Sequence, residues 1–323
     1  MNVLDILLAA AGAGPTPAGT TWVSQPGLAT AVGTPTIYSV CWNGSIFVAA
    51  GYAFATSPDG VTWTSRTLPT AFSGGGWARS VCWSGSQFVA VGVNALFQGA
   101  CATSPDGITW TAQAGFTTVF SGQANSVCWN GAKFVAVGGS GKCATSPDGV
   151  TWTAQAGFTT AHGSSNVDAI CWNGSILVAV SQQGPDVCVT SPDGVTWTAR
   201  PSFATNFTEN GGGCGICWGN SEFVAVGGDE PCGCATSPDG ITWTARAGFA
   251  TAFGAGYDPY SICWDGVQFV AVGGACATSP DGITWTGHAG FTPIFTGQAY
   301  SVCWTGTQLV AVGGGAVAAT SSH

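Results

Sequence analysis

The dipeptide Cys-Trp occurs seven times, at Cys41-Trp42, Cys82-Trp83, Cys128-Trp129, Cys171-Trp172, Cys217-Trp218, Cys263-Trp264 and Cys303-Trp304, with successive copies 40 to 46 residues apart. Around each copy the same phrases return. S-V-C-W-N-G-S-x-F-V-A-V-G leads into a variable stretch, then C-A-T-S-P-D-G-V-T-W-T, then a second variable stretch. A fixed period of this length means stacked supersecondary units, none of which can bury its apolar surface alone.

Turn chemistry marks the strand ends within a unit. Asn43-Gly44, Asn130-Gly131, Asn173-Gly174 and Asp265-Gly266 suit a tight hairpin with positive φ. In Ser57-Pro58-Asp59-Gly60 and its equivalents Pro pre-sets φ, Asp accepts backbone N–H bonds and Gly takes the left-handed position. Four short strands and no helix follow for each unit. Runs such as Phe88-Val89-Ala90-Val91 are apolar on both sides of the pleat, so both faces of the sheet must be covered. The expectation is an all-β, seven-bladed β-propeller of four-stranded antiparallel blades. The last unit stops at Ala319-Thr320-Ser321, before any P-D-G-V-T-W, while Thr16-Pro17-Ala18-Gly19-Thr20-Thr21-Trp22-Val23 aligns with that missing element. An N-terminal strand is therefore expected to join the C-terminal blade and close the ring, removing its open edges.

Only 7% of residues are charged and the formal net charge is −9. Six of the fifteen acids belong to the repeated turn, and six cations leave no basic footprint for nucleic acid. Twelve of the fourteen cysteines sit at two repeated strand positions, where they read as small buried thiols. Cys214 and Cys232 fall outside that pattern and could form a disulfide. Although they spell C-x-x-C and C-x-C with Cys217 and Cys234, the repeat accounts for two of the four, so no metal and no cofactor is expected. Residues 1–14 form an apolar leader, ahead of a propeller over 15–323. With Asp5, no basic flank and too little length to span a bilayer, it reads as neither signal peptide nor membrane span. Val3, Leu4, Ile6, Leu7 and Leu8 are expected to dock on a partner, or on copies of the same chain in a homo-oligomer.

The S-P-D-G-V-T-W element resembles the Asp-box of sialidase-like propellers, with one residue fewer between Asp and Trp. The resemblance implies the propeller fold and a structural role for the turn, away from any active-site face. The leader ahead of a Gly-, Ala- and Thr-rich β-structure is similar to bacteriophage virion proteins. There a short N-terminal segment fastens an outer module to the particle, which implies a virion location.

Strand direction puts the N-G and S-P-D-G turns at one end of every blade and both variable stretches at the other. The variable end holds Phe72, Trp77, Phe97, Phe120, Phe207, Phe253, Tyr257, Tyr260, Phe295 and Tyr300. Such residues suit stacking and neutral hydrogen bonds with sugar or protein. Phe116, Phe158, Phe249 and Phe291 recur in the phrase A-G-F and read as plugs between blades. Trp77, Phe97, Tyr257 and Tyr260 are not repeated and are the candidate contacts, together with Asp168 and Glu209. Sialidase-type chemistry needs converging arginines, but Arg66, Arg200 and Arg246 share one outer-strand position. The expected function is a non-catalytic virion-surface or tail-associated module that binds a host-surface glycan or protein. A structural capsid or tail decoration protein, a soluble lectin and a glycosidase are the alternatives.

Overall fold

The computed structural model describes residues 17–181, 188–206, 213–228, 232–254 and 256–322. Seven four-stranded antiparallel sheets are arranged as blades around one axis; six run in chain order from innermost to outermost strand, and the seventh takes its outermost strand from the N-terminal segment. Blade I consists of Ile37–Trp42, Phe47–Gly51, Phe54–Ser57 and Thr64–Arg66. The innermost strands of blades II to VII are Trp77–Trp83, Ala124–Trp129, Ala169–Trp172, Gly213–Gly219, Pro259–Trp264 and Ala299–Trp304. The chain is thus a seven-bladed β-propeller.

The two middle strands are buried along nearly their whole length because neighbouring blades cover both faces, which explains their continuous apolar runs. The core is accordingly divided into seven seams. Between blades II and III, for example, Val89, Val91 and Cys101 of one blade meet Phe134, Ala136 and Trp152 of the next. Burying a side chain of this size stabilises by roughly 1.5–3 kcal/mol, so a seam of about ten contributes far more than any single hydrogen bond.

The repeated turn locks each outer strand to its blade and to the blade before it. In blade III, Ser146 Oγ donates to Asp148 Oδ1 at 3.0 Å, and that oxygen accepts the N–H groups of Val150 and Thr151 at 2.9 and 2.7 Å. Trp152 Nε1 donates to the Gly149 carbonyl at 2.9 Å, and all seven blades repeat this indole bond. Gly149 has φ +68°, and a Cβ there would stand 2.8 Å from Val89 Cγ2 of blade II. Only glycine satisfies both the left-handed backbone and that approach.

A second device fastens the outermost strand. The residue three after each outer-strand Trp hydrogen-bonds the Thr hydroxyl of the third strand: Gln25, Arg66, Gln113, Gln155, Arg200, Arg246 and His288 do so at 2.8 to 3.0 Å. Arg66, Arg200 and Arg246 are therefore rim residues on three separate blades and do not converge.

Blade VII closes the ring. Val23–Ser24 pairs with Ala318–Ser322, placing Val23 opposite Thr320 and Ser24 opposite Ala319. Gly19 N–H donates to Ser321 Oγ at 2.8 Å, and Trp22 packs among Val270, Phe291 and Leu309 in the seam between blades VI and VII. The N-terminal strand thus completes a blade and one seam together.

Two expectations are corrected. Short helices do occur between blades, at Gly27–Val32, Ala114–Val119, Ala156–His162 and Gly248–Phe253. One helical turn brings residues four apart onto one face, so Phe116 stacks on Phe120, Phe158 on His162 and Phe249 on Phe253. Phe120 and Phe253 are thereby buried plugs like Phe116, Phe158, Phe249 and Phe291, and Phe72, stacked on Phe54, and Phe295, stacked on Phe291, are buried too, although all four were expected among the displayed aromatics.

The twelve cysteines at repeated positions are free thiols. Those on third strands bridge seams: Cys101, Cys234 and Cys276 donate to the glycine carbonyl of the next blade's turn, at 3.7 to 3.8 Å. Burial pushes the Cys276 thiol up to about 12, and contact with Trp22 only partly offsets this. Thiols in this state are poor nucleophiles.

Three outcomes follow. Trp22→Ala should cost about 3–5 kcal/mol in denaturant unfolding and lower the melting of the whole ring in one transition. Gly149→Ala should cost about 1–3 kcal/mol, less than additively with Val89→Ala in a double-mutant cycle. The backbone N–H of Thr151, opposed by some desolvation and aided by Val150, holds the Asp148 carboxyl below its usual range. Its stabilising contribution is complete above the unfolded value of about 3.9 and is lost as pH falls through the lower folded value. Denaturant midpoints should therefore decline below about pH 4, less steeply in Asp148→Asn.

Candidate functional site

Near their starts, six of the seven innermost strands depart from a regular ladder, the exception being Ala169–Trp172 of blade IV. Register shifts isolate one residue between paired neighbours: Tyr38 between Ile37 and Ser39, Arg79 between Ala78 and Ser80, and Asn125 between Ala124 and Ser126. Cys214, Tyr260 and Tyr300 occupy the same position in blades V, VI and VII. A β-bulge leaves its extra residue out of the ladder and re-aims it. Here the bulged residues Tyr38, Arg79, Asn125, Tyr260 and Tyr300, together with Asp168 of blade IV, line a cavity of about 180 Å3 at the axis on the variable-loop face.

Below them runs a girdle of serines. Ser39, Ser80, Ser126, Ser261 and Ser301 each accept, through Oγ, the next blade's backbone N–H from Val81, Val127, Ile170, Val302 and Val40 at 3.1 to 3.3 Å. These N–H groups belong to innermost strands that have a partner on one side only, so they turn toward the axis. In blades IV and V, Ala169 and Gly215 stand where the other blades have serine.

From the cavity an arc of six aromatic side chains crosses the loop face. Ring centroids step from Tyr260 to Tyr300 at 5.1 Å, to Tyr38 at 5.1 Å, to Tyr52 at 6.0 Å, to Trp77 at 5.1 Å and to Phe97 at 5.8 Å. Four of the chain's five tyrosines are in it. The Arg79 guanidinium lies 4.8 Å from the Tyr38 centroid, in cation–π geometry. Burial, then the neighbouring Tyr52, raises the Tyr38 phenol above its usual value despite the opposing Arg79. It therefore stays protonated at neutral pH and can donate a hydrogen bond. The Trp77 indole N–H is buried without an acceptor, and Phe97 is 67% exposed at φ +58°.

The candidate residues separate in space. Trp77, Phe97 and Tyr260 join the arc, and Asp168 joins the cavity wall. Tyr257 lies apart, over a second cavity of about 330 Å3 lined by Ala252, Phe253, Cys276 and His288. His288 Nε2 is engaged with Thr278 Oγ1 at 2.8 Å, and burial lowers its pKa. Beside the unreactive Cys276 it forms no activated pair. Glu209 and the leader residues Val3, Leu4, Ile6, Leu7 and Leu8 lie outside the described residues. Cys214 proves to belong to the repeat, at the bulge position, and its side chain lies outside the described residues, so the bridge to Cys232 has no geometry to judge. Cys232 itself is buried in the seam between blades V and VI.

Sequence reasoning missed Tyr38 and Tyr52. The signal for Tyr38 was present: three residues before each Cys of Cys-Trp, the chain reads Tyr, Arg, Asn, Asp, Cys, Tyr and Tyr, while the flanking strand is nearly constant.

Around the axis, the seven Cys-Trp thiols follow one another from blade to blade. Burial raises each of them, and neighbouring thiols add to the effect at Cys41, Cys82, Cys128, Cys217 and Cys263. Among the described residues, no group of three or more His, Cys, Asp and Glu side chains is arranged to hold a metal ion, and no helix is long and apolar enough to cross a membrane.

A family model described as the DUF6242 beta propeller domain matches residues 57–211, a little under half of the chain. No curated protein matches the sequence. Among solved structures, YCF48 bound to D1 peptide is similar with a TM-score of 0.68 and 16% identity, covering 94% of this chain and 96% of that one. YCF48 from Cyanidioschyzon merolae gives 0.64 and 16% over 94% and 98%. The WD40 beta propeller domain of Doa1 gives 0.64 and 11% over 95% and 97%. At these identities the likeness is one of architecture: the chain shares the closed-ring β-propeller fold with these proteins.

Proposed function

We propose that this chain is a non-catalytic recognition module that binds a surface glycan through the loop face of its propeller. The observation that carries the reading is the aromatic arc from Tyr260 to Phe97. Its six rings come from four blades and none is required by the repeat, while the repeated phenylalanines of A-G-F are buried in the seams. Rings with phenol and indole edges suit the apolar faces and hydroxyls of sugars. A phenylalanine at position 77 would keep an aromatic ring there without burying an unpaired indole N–H, so the tryptophan is better accounted for by recognition than by packing.

The same reading includes a mount. Ala18, next to the leader, is held at the turn face, where Gln268 Nε2 donates to its carbonyl. On that face Val61, Ile108, Val150, Val195, Ile241 and Ile283 stand exposed around the rim. The leader would fasten the ring to a larger particle such as a virion from this side, and the arc would face outward. Arg66, Arg200 and Arg246 stand on the rim and Arg79 alone of the arginines lines the axial cavity, so no arginine cluster forms there, which favours this reading over a glycosidase.

Glycan-array binding by the intact protein should fall at least tenfold in Tyr52→Ala and in Trp77→Ala, with melting temperatures within a few degrees of wild type. Array binding that survives both substitutions would sink the reading. Deleting residues 2–12 should leave a folded ring that still binds glycan but is no longer incorporated into particles; incorporation at the wild-type level would remove the mount.

A further inference from the structure

The break in the serine girdle makes the axial cavity a specific place rather than a symmetric hole. Ile216 pairs with Ala225, and Ile262 with Ala271, in the same register as Val40 with Ala49, so their N–H groups turn toward the axis like that of Val40. At five seams a serine accepts this N–H. At the two consecutive seams IV–V and V–VI the serine position holds Ala169 and Gly215, which offer no acceptor. A Cβ on Gly215 would lie 3.5 Å from the Ile262 nitrogen, so a serine there would be within reach of it. Ala169, Ile216, Gly215 and Ile262 all line the axial cavity.

We infer that this gap is the seat of one neutral sugar ring, whose hydroxyl oxygens take the place of the two absent serine hydroxyls on the N–H groups of Ile216 and Ile262. The inference rests on the reading of the loop face as a glycan-binding surface and assigns the terminal residue of that glycan to the axis. A hydroxyl accepts from a backbone N–H and still has a proton to donate, and Asp168 in the same wall is an acceptor for it. The flanking Tyr260 and Tyr300 offer ring faces for stacking. A cavity of about 180 Å3 has room for several waters, which a pyranose ring would displace. Arg79 and Asp168 in the same wall offset one another, which favours a neutral ligand over a charged one.

The test uses the full chain and the methyl pyranosides of glucose, galactose and mannose as probes. Titration of the 15N-labelled protein should move the Ile216 and Ile262 amide resonances with at least one probe. Ala169→Ser supplies the acceptor found at the other seams, so it should weaken that probe at least tenfold while preserving or raising the melting temperature; Gly215→Ser should weaken it likewise. Loss of binding in a variant that keeps its stability is an outcome a packing role would not produce. Shifts confined to Tyr52, Trp77 and Phe97, or an affinity unchanged by Ala169→Ser, would overturn the axial seat while leaving glycan binding by the arc intact. Absence of binding by every pyranoside would also overturn it, and the glycan-array comparison judges the broader reading independently.

Discussion

Every blade leans on the one before it through a glycine. At the repeated turn the left-handed Gly of one blade faces a valine methyl of its predecessor: Gly107 faces Val48, Gly149 faces Val89, Gly240 faces Val178, and Gly19 does the same to Val270. The approach fixes how closely adjacent sheets pack, and with it the wedge angle that seven sheets must share to close a circle. Hydrogen bonds donated by the serine hydroxyl and the tryptophan indole, and those accepted by the aspartate carboxylate, hold the turn in the one shape that allows this approach. Because the contact runs between units, no blade can tighten or loosen without shifting its neighbours. Stability is therefore shared around the ring, as expected for repeats that cannot fold singly.

Closure depends on that reciprocity. The strand Val23–Ser24 is only two residues long, yet it brings Trp22 and Gly19 into the last vacant wedge. A short pairing suffices because most of the free energy comes from seam burial rather than from the ladder. This is also why the ring was legible from sequence: the turn phrase survives, in altered form, at Thr16 to Trp22, and its absence after Ser321 is as clear as its presence elsewhere. The seven Cys-Trp copies gave the blade count, and the apolar middle strands gave the covered sheets.

What stayed hidden was local. The interblade helices are six or seven residues long and carry no side-chain caps, so A-G-F-T-T signals a loop until the seam selects the helical turn that buries Phe116 with Phe120. The arc was only partly visible for a related reason. Trp77 and Phe97 stand out as unrepeated residues, but Tyr38 sits inside a strand phrase whose neighbours repeat, and only the bulge turns it toward the axis. Its neighbours in the arc come from chain positions as distant as 52 and 300, and sequence gives no measure of that proximity. The missing serines at 169 and 215 are equally plain in the string of letters and equally mute there, since their meaning depends on an N–H contributed by the next blade.

Five of the seven seams contain a third-strand sulfur, at Cys101, Cys143, Cys188, Cys234 and Cys276, whereas the seams on either side of blade I contain Phe54 and Ala318 instead. A reagent in solution reaches such an atom only when the two sheets part. The rate at which each is alkylated is thus a clock for the opening of its own wedge, and the molecule carries gauges around most of its circumference, silent only beside the blade that meets the closing one.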